Sequence, residues 1–471
     1  MAFQQPSESQ PRSRLMVDDK PKRLISWAEI REHKTPQNAW IVIHKKVYDI
    51  SQWDAHPGGS VMYTQAGEDA TDAFSVFHPS SALQHLAQFY IGDADDSTRE
   101  VEGEPLTEAE VAAKQRVNEF ITAYRNLRVK VKTMGLYDAS KLYYAWKVAS
   151  TFSLWLASVL VSYYGQTWSM YMLSAVIMGL FYQQSGWLAH DYLHHQVCSS
   201  AELGNLMGVF VGNVWQGFSV QWWKNKHNTH HAVPNLHATT EEGFTGEPDI
   251  DTMPLLAWSK KMAEKALDST MGRFFISNQA VMYFPLLTFA RLSWMLQSYM
   301  YVFKKFSFGP YDPCSMPTAE KAGLIMHYIW VLLVPFVTGM TALQGVSWFL
   351  MSQASCGLML AMVFSIGHNG MSVYDRDTKP DFWKLQVTST RNISSSILVD
   401  WFTGGLNYQI DHHLFPRVPR HNLGKLNVLV KSLCKQFDIP YHETGFWMGL
   451  YEVVDCLAQI SHEFVHDFPA M

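Results

Sequence analysis

Four long apolar blocks without a single charged residue constrain this chain more than any other feature. They fall at about residues 148–164, 168–189, 322–344 and 346–367. The first reads "VASTFSLWLASVLVSYY" and the second "WSMYMLSAVIMGLFYQQSGWLA". Each approaches the roughly 20 residues that an α-helix needs to cross a bilayer. The spacing predicts four membrane helices, the last two joined by a tight turn at Gln344–Gly345. Residues 204–220 are apolar but Gly-rich and broken, and read as an interfacial segment. Residues 274–303 carry Arg291 among aromatic residues and read as an in-plane amphipathic helix.

Orientation follows from charge. Lys114, Arg116, Arg125, Arg128, Lys130, Lys132, Lys141 and Lys147 lead into the first block, and such a basic approach marks the cytosolic side. The start, "MAFQQPSESQPRSRL", has no apolar core of the kind a signal peptide needs, so the N-terminus is expected in the cytosol. Residues 1–22, polar and with Pro and Ser, read as disordered. The net charge of −5 argues against a nucleic-acid partner, and five scattered cysteines without a CxxC pair read as reduced thiols.

Histidines cluster at the mouths of the blocks. "HDYLHH" supplies His190, His194 and His195; "HNTHH" supplies His227, His230 and His231; "QIDHH" supplies Gln409, His412 and His413. Residues three or four apart share a helix face, so each cluster can present its side chains together. Two crossings precede the first two clusters and four precede the third, which puts all three on the cytosolic side. Eight histidines exceed the four ligands of one structural zinc and suggest two metals. His368, closing the fourth block, reads as an additional ligand. The ungrouped His237 and His327 read as surface or structural residues. Imidazole alone admits zinc, copper, iron or nickel.

The N-terminal part narrows the choice. "AWIVIHKKVYDI" alternates like a strand pair, and "DAHPGGSV" sets His56 before a turn that allows close approach to a flat cofactor. His78 follows in "FSVFHPSS". Two axial histidines would fill both faces of a haem and leave it able only to pass electrons. With "FYIGD" behind them, these residues resemble cytochrome b5. An attached electron carrier suits iron that activates oxygen and has no use in a zinc hydrolase.

The whole, from about Ile25 to about Ala458, resembles a membrane front-end fatty-acyl desaturase with a fused cytochrome b5 domain. "GWLAHDYLHHQV", "WWKNKHNTHH" and "WFTGGLNYQIDHHLFP" carry the resemblance, and Gln409 opening the third box is a mark of the b5-fused front-end group. "PDIDTMPLLAW" and "FSIGHNGM" look most like Δ6 desaturases of oil-forming lower fungi. Asp411 departs from the Glu usual there; lying between ligand faces, it is expected to have a small geometric effect.

The resemblance implies a small α+β haem domain (23–97) and a linker with juxtamembrane segment (98–140). An all-α membrane domain (141–471) with about four spans and a cytosolic di-iron site would follow. Implied cofactors are haem b on His56 and His78, two iron ions on the clustered histidines, and O2 as co-substrate. Implied partners are the acyl chain of a phospholipid or CoA, membrane lipid, and NADH-cytochrome b5 reductase at the endoplasmic reticulum. The expected reaction makes a cis double bond at C6 of linoleoyl and α-linolenoyl chains. Alternatives are a Δ5 or Δ8 acyl desaturase, a sphingolipid long-chain-base desaturase, a lipid hydroxylase, or a non-catalytic membrane-anchored haem carrier.

Overall fold

The computed structural model describes residues 23–99, 107–238, 246–309 and 311–468. The N-terminal segment read as disordered lies outside these. Five strands, β1 (Leu24–Ser26), β2 (Lys34–Thr35), β3 (Asn38–Ile43), β4 (Lys46–Asp49) and β5 (Tyr90–Asp95), form one sheet in the order β1-β5-β4-β3-β2. Only the β1–β5 pair is parallel. The alternation in "AWIVIHKKVYDI" is the β3–β4 hairpin, with Trp40 opposite Asp49 and Ile43 opposite Lys46. His44 and Lys45 both take positive φ, as the two-residue turn of a twisted hairpin requires. Ala39, Ile41 and Ile43 face one apolar cluster while Trp40 and Val42 face another. The period-2 geometry of a strand separates them. Helix α1 (Thr71–Phe77) and the Gly59–Gln65 turn of 3-10 helix close the side toward His56 and His78.

Within the segment expected as linker stands a 26-residue helix, α2 (Glu108–Thr133), started by a Thr107–Glu110 capping box. Phe120, Tyr124, Leu127 and Val131 recur at helical spacing on its buried face. They pack with Ile410, Leu414 and Leu426 of the membrane unit. The segment is thus helical and packed along one face, with its many charged residues on the other.

Helices α3 (Lys141–Gly165) and α4 (Trp168–Leu193) match the first two blocks. Helix α5 (Ala201–Gly208) runs into a π-helical turn (Val209–Gln216), and α6 (Val220–Ala232) follows. The in-plane segment is two helices, α7 (Thr270–Leu287) and α8 (Ala290–Lys304). Apolar side chains lie on both faces: Ile276, Tyr283 and Leu287 are buried in a core cluster, Phe274, Val281 and Leu296 face outward, and Arg291 is fully buried and donates to the Gln216 carbonyl. Helices α9 (Pro317–Val337) and α10 (Ala342–His368) match the last two blocks. The turn between them lies at 338–341 and not at Gln344–Gly345, because Thr341 and Gln344 form a capping box that starts α10. The chain closes with α11 (Phe382–Thr388), α12 (Gln409–Leu414), α13 (Arg420–Gln436) and α14 (Phe446–Asp467).

Among the described residues three helices, α3, α9 and α10, are long and apolar enough to cross a membrane. The remaining block, α4, packs against α3 and α10, and its second half carries Gln183, Gln184, Ser185, His190 and Asp191, all buried. Close approach of α4 to α10 depends on Gly179, where a Cβ would meet Ser355 Oγ at 2.2 Å. Hydroxyls also join the bundle: Ser158 donates to the Ser174 carbonyl at 2.8 Å, and Trp348 Nε1 to Ser174 Oγ at 3.1 Å.

Candidate metal centre

Four elements end at one place. The last turn of α4 supplies His190, with His194 as its C-cap; α6 supplies His227, His230 and His231; α10 ends on His368; α12 supplies Gln409, His412 and His413. The ligand atoms of His190, His194, His227, His231 and His412 all lie within 4.8 Å of one another. Their Nε2 atoms face each other: 2.8 Å for His194–His227 and 3.1 Å each for His190–His412, His227–His231 and His231–His412. Two imidazoles bound at right angles to one ion, each at about 2.1 Å, would stand about 3 Å apart. The donor set therefore fits a bound ion.

His230, His368 and His413 form a second such group. His413 Nδ1 donates to Gln386 Oε1 at 2.7 Å, leaving His413 Nε2 buried without a partner. His230 Nδ1 donates to the buried Glu247 carboxylate at 2.6 Å. Burial opposes a charge on His230, yet Glu247, with Asp249 behind it, raises its pKa above the ordinary value. Elsewhere burial, then the neighbouring imidazoles, holds His227, His231, His412 and His413 well below it. Neutral imidazole is the form that binds metal. The Gln409 amide nitrogen sits 2.7 Å from His368 Nε2, so Gln409 belongs to this second group.

His195 does not join either group. Helix α4 ends before it, and its left-handed backbone (φ 54°) turns the ring away. Burial, with the cations Lys224 and Arg417 nearby, pushes its pKa down to about 4. His368, expected as an additional ligand, does join the constellation, and the expectation for His195 is the one that fails. Of the ungrouped histidines, His327 lies buried beside Arg291, and His237 pairs with Ser259 Oγ at 3.1 Å.

The supports of these ligands went unread in the sequence. Asp191 accepts from Arg420 Nε at 2.5 Å and from Tyr144 at 2.8 Å, pinning the end of α4 to α13 and α3. Gln386 accepts from His413 and donates to the His231 carbonyl at 3.1 Å. Glu247 comes from a loop 17 residues beyond His230. No periodicity links these positions to their partners. Asp411 points away from the imidazoles and accepts from Asn392 at 2.7 Å and Asn427 at 2.9 Å.

A cavity of about 230 Å³ opens on His227, His230 and His368. Leu256, Trp258, Leu287, Trp294, Leu360 and Phe364 make its wall apolar, and Lys226 and Asp249 lie at its polar part. A second cavity, about 450 Å³, lies between His56 and His78. Their ring centroids stand 5.9 Å apart. His56 Nδ1 donates to the Gly59 carbonyl and His78 Nδ1 to the Phe74 carbonyl, each at 3.0 Å. Both Nε2 lone pairs are thereby left to hold a metal ion, as a haem iron would require, and the apolar wall of Ile41, Ile50, Val61, Phe74 and Leu86 suits a flat ring. Gly58 permits the His56 ring, since a Cβ there would fall 2.8 Å from Cε1.

Each site lies within a segment that matches a known family. Residues 26–95 match the cytochrome b5-like haem/steroid-binding domain, and residues 166–445 match the fatty acid desaturase family. Over 439 residues the chain is 38% identical to the acyl-lipid (9-3)-desaturase of Physcomitrium patens, covering 92% of this chain and 78% of that one. The chain belongs to the fatty acid desaturase family. Within it, the Delta(6)-fatty-acid desaturase fat-3 of Caenorhabditis elegans is 32% identical over 86% of this chain and 93% of its own. The Delta(8)-fatty-acid desaturase of Euglena gracilis is 33% identical over 88% and 93%. This desaturase is thus a membrane oxidoreductase of the front-end acyl-lipid group, with a haem-binding domain fused ahead of it.

Proposed function

We propose that this desaturase places a cis double bond at C6 of linoleoyl and α-linolenoyl chains. In this reading it works in the endoplasmic-reticulum membrane, with α3, α4, α9 and α10 crossing and both His groups on the cytosolic side. Electrons come from NADH through cytochrome b5 reductase and the chain's own haem domain. The observation that carries the reading is an apolar cavity opening on two converging imidazole groups. The (9-3) and Delta(6) names among the relatives support the position.

His190, His194, His227, His231 and His412 would hold one iron, and His230, His368 and His413, with Gln409 beside them, the other. His56 and His78 would hold haem b, the domain spanning 23–97, while 141–471 forms the desaturase unit. Bound iron supplies the stepwise reduction of O2 that removing hydrogen from an unactivated methylene requires. The protein's part is positional. The aromatic and aliphatic wall holds the acyl chain and keeps water from it. Glu247 and Gln386 fix the rings of His230 and His413, each by a hydrogen bond from Nδ1.

The test is expression in yeast fed linoleate and, separately, α-linolenate, with double bonds located by mass spectrometry of the fatty acid derivatives. A new C6 bond from both substrates is expected. New bonds only at C5 or C8, or only in long-chain bases, would refute the position. A hydroxylated product would make the chain a hydroxylase, and no product beside an intact haem spectrum would leave it an electron carrier.

A further inference from the structure

The two cofactor sites share a wall. Ala232 lines the haem cavity and directly follows His231 on α6. Facing it, Phe77 lines the same cavity, immediately precedes His78, and meets the His231 ring edge-on with centroids 6.3 Å apart. One aromatic ring thus spans the distance between the haem cavity and an imidazole of the metal centre.

That contact sits inside a built interface. Its middle is apolar: Val76 and Phe77 of α1 pack with Phe120, Tyr124 and Phe382, and Val61 packs with Val233 and Leu236. Its rim is polar. Arg125 grips Asp72 with two hydrogen bonds of 2.9 and 3.0 Å, and Lys379 pairs with Glu68 at 2.5 Å. Asp312 accepts from the Ser60 amide at 3.0 Å and its hydroxyl at 3.1 Å. Arg376 donates to the Ala66 carbonyl at 2.9 Å. An apolar middle inside a polar rim is the anatomy of a specific interface.

We propose that this docked arrangement is the electron-delivering one, with Phe77 as the bridge between the haem cavity and His231. It rests on the reading that the haem domain serves the metal centre. In each passage the haem iron is oxidised from ferrous to ferric and one ion of the His-lined centre is reduced from ferric to ferrous. Two passages per double bond supply two electrons. With two protons, one O2 and the two hydrogens taken from the acyl chain, they end in two waters. A reduced nicotinamide nucleotide, acting through a flavoprotein reductase, re-reduces the haem.

The experiment uses the full chain with haem and iron bound. In the first arm, Ser60→Cys with Asp312→Cys is oxidised, and the peptide joining positions 60 and 312 is sought by mass spectrometry. Formation of the cross-link, with substrate-dependent reoxidation of the reduced haem retained, is expected. No cross-link, or a locked chain whose haem no longer reoxidises, would overturn the proposal.

In the second arm, Phe77→Leu and Phe77→Trp are compared for haem spectrum, haem reduction by NADH and reductase, and reoxidation by O2 with acyl substrate. Phe77→Leu should keep the spectrum and the reduction rate but slow reoxidation severalfold, and Phe77→Trp should restore most of it. Wild-type reoxidation in Phe77→Leu would remove Phe77 from the path. If the unaltered chain showed no substrate-dependent reoxidation at all, the failure would lie with the haem domain's assigned service to the metal centre.

Discussion

Glu247 offers the sharpest test of how this centre is held. Its carboxylate is completely buried and takes the Nδ1 proton of His230 at 2.6 Å, so it sets the ring's tautomer and angle. Asp249 stands 3.7 Å away and is half exposed, so water screens most of its effect. A hydrogen bond to a charged acceptor contributes about 1.5–3 kcal/mol. Loss of such an outer partner lowers metal affinity about 10–100-fold, or about 1.4–2.7 kcal/mol, and the two ranges agree. Glu247→Leu should therefore release one of two irons at about 10–100-fold lower chelator concentration. Glu247→Gln, whose amide oxygen still accepts, should lose about tenfold or less, and Asp249→Asn should change little. The assay is iron per chain by elemental analysis after graded chelator dialysis, with the haem spectrum as a folding control. Glu247→Leu that held both irons as tightly as the unaltered chain would refute the reasoning.

The different placement of His368 and His195 is testable by the same assay. His368→Ala should lose iron and desaturation, whereas His195→Ala should keep the iron of the unaltered chain, since that ring belongs to neither ligand group. Gln409→Ala should lose most activity with protein level and haem kept, because it removes the donor 2.7 Å from His368 Nε2, and Gln409→His should also be impaired. Near-normal product from both Gln409 variants would show that the position lies outside the site. The haem cavity predicts a pH effect: burial holds His56 and His78 below the ordinary value of 6.5, against the smaller opposing pull of their carbonyl partners. The unfolded chain then takes up protons that the fold refuses, so the haem-free domain should be most stable above about pH 6.5 and weaken as pH falls below it. Thermal melts of the haem-free chain at about pH 7.5 and about pH 5.5 check this, and replacing both histidines by Gln should reduce the difference, leaving the part due to the buried imidazoles of the metal centre.

Local chemistry was legible in the sequence. A charge-free run of about 20 residues must be a helix in lipid, because no other short segment satisfies its own backbone there. A strand pair announces itself by period 2 and a ligand face by spacing of three and four, which is why β3–β4, the His227–His231 face and His412–His413 were all read in place. The same logic recovers α2 once its stripe of Phe120, Tyr124, Leu127 and Val131 is read through the charges around it. What only the tertiary structure decided lies between elements. That His368 enters the constellation and His195 does not follows from where α10 ends and where α4 stops, the latter a matter of a single residue's backbone turn. Glu247, Gln386, Asp191 and Arg420 hold their partners across 17 to 229 residues of chain, and no local pattern encodes such a pairing. The seating of Phe77 against His231 arises from two units folding onto each other, because the partners of each apolar face lie on the other unit.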